Sequence, residues 1–105
     1  MKPINVGFEV IKVDDNTWDV LIMGEDAVLK SFVQVYDRLF YIEESVFDRK
    51  PAVIAPDFPN HLHASAWKEY WVTAFADPDN ACQDCPTVKQ LFGFIERARK
   101  NAHNE

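Results

Sequence analysis

The chain has three histidines and two cysteines, and four of these five residues fall into two short motifs. One is His61-Leu62-His63. The other is Cys82-Gln83-Asp84-Cys85, followed at once by Pro86. Thiolate and imidazole are the donors zinc prefers, and two of each would close a tetrahedral structural site. In an extended segment His61 and His63 would point to the same side. Known frameworks place the Cys pair first and space the His pair by three to five residues. Here the His pair comes first and is tighter. His61, His63, Cys82 and Cys85 are therefore the candidate metal ligands, with zinc as the cofactor they would take. The spacing favours the plainer expectation of no cofactor, two surface histidines and two unrelated thiols.

The same cysteines raise the question of thiol chemistry. Cys85 precedes Pro86, a residue suited to the first position of a helix, so its thiol would sit at a helix N-terminus, where the dipole favours thiolate. Gln83-Asp84 between the cysteines departs from the redox pattern, and the Asp84 charge opposes a thiolate. Acid–base candidates are equally sparse. His61, His63, Ser65 and Asp57 are close in sequence, and Glu43-Glu44 is a carboxylate pair, but triads are defined by geometry and not by proximity in sequence. Glycine occurs only at 7, 24 and 93, which leaves no nucleophile elbow and no phosphate-cradling loop. The expectation is a protein without catalysis. Its aromatics offer another use. Trp18, Trp67, Tyr70 and Trp71 are residue types that anchor binding surfaces, and they form the candidate interface.

These residues must be positioned by a small set of elements. Apolar residues alternate from Ile4 to Val10, and Thr17 to Met23 is rich in β-formers; Asp14-Asp15-Asn16 between them reads as a turn. An antiparallel hairpin, 4–13 with 17–23, is expected, its second strand central. After Gly24, the spacing of Leu29, Phe32, Val33, Tyr36, Leu39 and Phe40 predicts an amphipathic helix; the rival reading is a second hairpin of Phe32–Tyr36 with Leu39–Glu44 about Asp37-Arg38. Tyr41 to Phe47 reads as a strand or irregular edge. Ala52 to Ala55 reads as a short strand that stops at Pro56, followed by a loop through Asn60. The segment Ala64–Ala76 has helical aromatic spacing but strand-forming residue types, and helix is the reading taken. Asp77–Asn80 reads as a turn. Pro86 opens a helix over 86–101 with Val88, Leu91, Phe92 and Ile95 as its buried stripe. Gly93 in its middle suggests a close packing contact. The tail 101–105 is expected to fray.

A chain of 105 residues with 48% hydrophobic and 27% charged residues is one globular domain. Residues 1–50 hold six basic and ten acidic groups and residues 51–105 hold five and seven, so the net charge of −6 is spread along the chain. That sign repels nucleic-acid phosphates and anionic lipid. No stretch approaches the roughly 20 apolar residues of a membrane span. Met1–Asn5 lacks the apolar core of a signal peptide, and two close cysteines without one suit the cytoplasm.

The sequence thus predicts a single α+β domain spanning 1–105. An antiparallel sheet of three to five strands packs on two or three helices. The functional expectation is a small acidic cytoplasmic protein that binds a protein partner or itself, of inhibitor, immunity or adaptor type. The alternative is a small-molecule-binding or zinc-stabilised domain using His61/His63 and Cys82/Cys85.

Overall fold

The computed structural model describes residues 4–45 and 49–103, with the side chains of Cys82, Asp84, Ala102 and His103 outside the description. Among the described residues, strand β1 runs Val6–Asp14, β2 Thr17–Gly24, β3 Phe40–Ile42 and β4 Ala52–Phe58. The helices are α1 Asp26–Val35, α2 His61–Ala76, α3 Pro78–Asp84 and α4 Pro86–His103. The architecture is α+β, with a four-stranded antiparallel sheet in the order β1-β2-β4-β3.

The hairpin forms as its alternation dictates, with Phe8 opposite Ile22 and Val10 opposite Val20. Its second strand is central, paired on both sides. Gly24 ends it at a position that no other residue fits. A Cβ there would stand 2.5 Å from the Asn5 carbonyl oxygen.

Several elements differ from the sequence expectation. The helix that begins at Asp26 ends at Val35, and Tyr36 leaves it in extended geometry. The chain turns at Asp37-Arg38 so that Phe40–Ile42 can pair with Ile54–Ala52 as an edge strand. The later residues of the apolar pattern were therefore reporting an edge strand, not further helix. Of the Tyr41–Phe47 reading, the strand covers Tyr41 and Ile42, and Phe47 lies outside the described residues. Strand β4 does not stop at Pro56 but continues to Phe58. Its register on β2 slips between Trp18 and Val20, so one extra residue is accommodated. Proline lacks an N–H, and a bulge is where a strand tolerates one. Asp57 takes φ 68° at that bulge. Its N–H donates to Asp19 Oδ1 at 3.1 Å.

Ala64–Ala76 is helical, and the helix starts earlier, at His61. Asn60 supplies the reason. Its side chain accepts the His63 N–H at 2.9 Å, the capping bond that starts helices. The Asp77–Asn80 turn is instead the cap and first turn of α3. Helix α4 continues through His103, two residues past the 86–101 expected from the sequence, and residues 104–105 of the tail lie outside the described residues.

Phe8, Val20, Ile22, Val53 and Ala55 from one sheet face join Leu29 and Phe32 of α1, Trp71 and Phe75 of α2, and Val88, Leu91, Phe92 and Ile95 of α4 in one core. The α4 stripe is thus buried as its spacing predicts. Phe92 meets Phe75 edge-on at 5.2 Å. Trp71 is the hub of the aromatic packing, with Phe32 and Tyr70 rings each 5.1 Å away. Gly93 corrects the expectation of a tight contact, because an added Cβ would meet nothing within 4 Å.

Candidate functional site

Two side chains from different elements meet beside α2. Cys85 lies between α3 and α4, and its carbonyl accepts the Lys89 N–H at 3.0 Å, which makes it the cap of α4 as its place before Pro86 implied. Tyr70 projects from the middle of α2. The backbone N–H of Val88 donates to the Cys85 sulfur, as does the Tyr70 hydroxyl, and these bonds hold the thiol below its ordinary pKa. Tyr70 is pushed the other way, by partial burial and by its bond to Cys85. A hydrogen-bonded thiol at a helix N-terminus is the environment that makes cysteine nucleophilic.

Both residues line an open groove of about 670 Å³ between α2 and α3. Thr73, Ala74, Asn80 and Ala81 complete its walls, and Glu69 and Asp77 put two carboxylates on its border. The groove, with the half-buried Cys85 on its wall, has the volume for an extended side chain or a small apolar molecule.

The remaining sequence candidates are dispersed. His61 and His63 lie in the first turn of a helix, not in an extended strand. Two residues apart on a helix means about 200° of rotation, so the rings leave α2 on opposite sides. His61 stacks edge-on against Trp18 at 4.9 Å, with Ser65 Oγ 3.3 Å from its Nδ1. The His63 ring nitrogen is 2.9 Å from Asn60 Oδ1. Cys85 faces Tyr70, about two turns further along α2 than His63. The Cys82 side chain lies outside the description. Among the described residues no three His, Cys, Asp or Glu side chains form a metal-binding group.

Of the aromatic candidates, Trp71 is only 2% exposed and is a core residue, not a surface one. The helix turns it inward, toward Phe32 and Phe75. Trp18 and Trp67 are half-buried and pack against the core, Trp67 meeting Phe58 at 5.7 Å. Tyr70 remains exposed, at 49%.

Inspection of α2 reveals residues that the sequence reading passed over. Leu62 is 74% exposed and Val72 42%. Ala66 and Ala76 are exposed as well. With Trp71, Ala74 and Phe75 buried beneath, the exposed side of α2 mixes these apolar residues with His61, His63, Glu69 and Thr73. Lys68 and Glu69 are its only Asp, Glu, Lys or Arg residues. Large apolar side chains grouped on an exposed helix surface mark a place where a partner can dock. The signal was legible as a run of sixteen residues with two formal charges.

Among the described residues, no helix is long and apolar enough to cross a membrane. Comparison with protein-family models, curated proteins and solved structures finds no match for this chain.

Proposed function

We propose that this protein works by binding another polypeptide, without catalysis, through the outward face of α2 and the groove beside it. The observation that carries the reading is the exposure of three large side chains along α2, Leu62 on its outward side and Tyr70 and Val72 on its two flanks. Leu62, Tyr70 and Val72 are large apolar or amphipathic side chains left in water on one helix, next to a groove of about 670 Å³. Water is a poor partner for such side chains, and large apolar groups left exposed on one helix mark an interaction site. Tyr70 adds the type of anchor that binding interfaces favour. An inhibitor, immunity or adaptor role in the cytoplasm is the class of function this surface would serve. The test is affinity capture with wild-type protein and with Leu62→Glu and Val72→Glu. Both sites are exposed, so the variants should keep the wild-type far-UV spectrum and lose their partner. Equal capture by wild type and both variants would move the interface elsewhere.

A second reading has the groove take a small molecule, favoured by the Cys85–Tyr70 pair on its wall. An electrophilic fluorophore bearing an apolar group should then label Cys85 faster than iodoacetamide does, and Thr73→Trp should block it by filling the groove. Equal rates with both reagents would show no binding in the groove.

A further inference from the structure

Resting on the reading of α2 and its groove as an interface, we infer that the partner enters the groove as an extended basic segment, with two cationic side chains four residues apart that meet Glu69 and Asp77. The groove carries one sign of charge. Glu69 and Asp77 stand on its border, and among the described residues no lysine, arginine or histidine lines it. Neither carboxylate makes an ion pair among the described residues. The Cys85 sulfur adds to the same sign, since the Val88 N–H and the Tyr70 hydroxyl favour its thiolate. A groove of this kind selects a partner of opposite charge.

The end of α2 reinforces that sign. Helix α2 reaches the groove with its C-terminal turn, the negative end of the helix dipole, where a cation is favourable. No basic residue stands in that turn, and the C-cap is Asp77. Asp77 also precedes α3, yet its side chain makes no capping bond there. Its carboxylate is therefore available to a cation from outside. Tyr70 puts an aromatic ring on the wall of the groove. A guanidinium can stack on such a ring while it pairs with a carboxylate, so arginine suits this groove better than lysine.

The spacing of the carboxylates sets the form of the segment. Glu69 and Asp77 are eight residues apart, which is about 12 Å along a helix axis. An extended chain rises about 3.3 Å per residue, so its residues i and i+4 point to one side about 13 Å apart. One basic side chain then sits at each carboxylate. The residue midway between them faces the wall made by Thr73, Ala74 and Ala81.

Amide chemical-shift titration of isotope-labelled protein tests this. The probes are the end-capped peptide Arg-Ser-Ala-Ser-Arg and its isomer Arg-Arg-Ser-Ala-Ser, which carries the same charge. The spaced peptide should shift the amides of Thr73, Asn80, Ala81 and Cys85. It should bind about two- to fivefold more tightly than the isomer, the worth of one exposed ion pair. Glu69→Gln and Asp77→Asn should each erase that advantage. Both side chains are exposed, and the far-UV spectrum of each variant confirms the fold. Equal binding of the two peptides overturns the inference, as do shifts away from the groove or no shift up to the solubility limit of the spaced peptide. A partner lost by Leu62→Glu but captured undiminished by Glu69→Gln/Asp77→Asn overturns the basic segment alone and leaves α2 as an interface. Equal capture by wild type and all of these variants overturns both readings.

Discussion

Arg99 Nε donates to Glu25 Oε1 at 2.9 Å, and the same carboxylate oxygen accepts from Arg99 Nη2. The two residues are 74 positions apart in the chain. Glu25 is the cap residue of α1, where its charge favours the positive helix end. Arg99 comes from the last turns of α4. The pair therefore locks the outer helix to the one that lies on the sheet, at a site where the Arg99 side chain is 19% exposed.

Arg99→Ala should cost about 1–2 kcal/mol, more than an exposed ion pair, because the Glu25 carboxylate would lose its partners in a half-buried place. Urea unfolding measures it. The loss should shrink in high salt. A cost below about 0.3 kcal/mol would mean that the pair contributes nothing to α1–α4 docking.

Gly93→Ala should stabilise the protein by about 0.5–1 kcal/mol. The helix loses a flexible residue, and the new methyl meets open space. Its neighbour behaves oppositely. Phe92 is 2% exposed, and Phe92→Ala should cost about 3–5 kcal/mol through the cavity left against Phe75. Thermal melting of the two variants should therefore shift in opposite directions.

Alkaline pH should destabilise the fold. Burial pushes the Tyr36 hydroxyl up to about 12, with Tyr70 and Cys85 nearby adding to the effect. Tyr41 and Tyr70 are raised as well. A raised folded pKa means that the folded chain keeps a proton that the unfolded chain releases. The contribution is full below the unfolded tyrosine value of about 10. It is lost as pH climbs from there through about 12. The expected slope for Tyr36 is at most about 1.4 kcal/mol per pH unit, reduced by water reaching its half-buried ring. Tyr36→Phe should flatten that slope; an unchanged slope would place the titration elsewhere.

In a Cys82→Ser background, the absorbance of the Cys85 thiolate should titrate below the range of an ordinary free thiol. Tyr70→Phe should raise the midpoint by removing one donor, while the Val88 N–H keeps part of the depression. The linkage has the opposite sign to that of the tyrosines. The stability from this thiolate is present above the unfolded thiol pKa and is lost as pH falls through the folded one. A midpoint unmoved by Tyr70→Phe would show that the hydroxyl does not act on the sulfur.

The placement of the histidine rings on opposite sides of α2 leads us to expect no shared zinc site. Elemental analysis should find no stoichiometric zinc, and chelator should leave the melting temperature unchanged. One zinc per chain, lost in both Cys82→Ser and His63→Ala, would reverse this, since metal bound to the folded state is folding free energy.

The amino-acid pattern by itself determined the hairpin and the C-terminal helix. Alternation over Ile4–Val10 has one solution that buries Phe8 and packs Val10 against the core. The stripe Val88, Leu91, Phe92, Ile95 has one helical face. Pro86 marked the start of α4 and so placed Cys85 at its cap. Local signals were enough there because side-chain spacing, turn residues and propensity agreed.

Tertiary structure decided the rest, wherever local signals conflicted or long-range pairing overrode them. Trp67 and Trp71 share a face in either a helix or a strand, and the Asn60 cap together with docking on the core chose helix. That choice separated His61 from His63. Tyr70 and Trp71 read alike in sequence, yet neighbours on a helix lie about 100° apart, so one anchors the core and the other faces the groove. Strand β4 could run past Pro56 because a bulge against β2 absorbs it. The Cys85–Tyr70 bond and the Glu25–Arg99 lock join residues distant in sequence. Such contacts depend on how the helices stack, and that stacking is fixed by the shared core they bury.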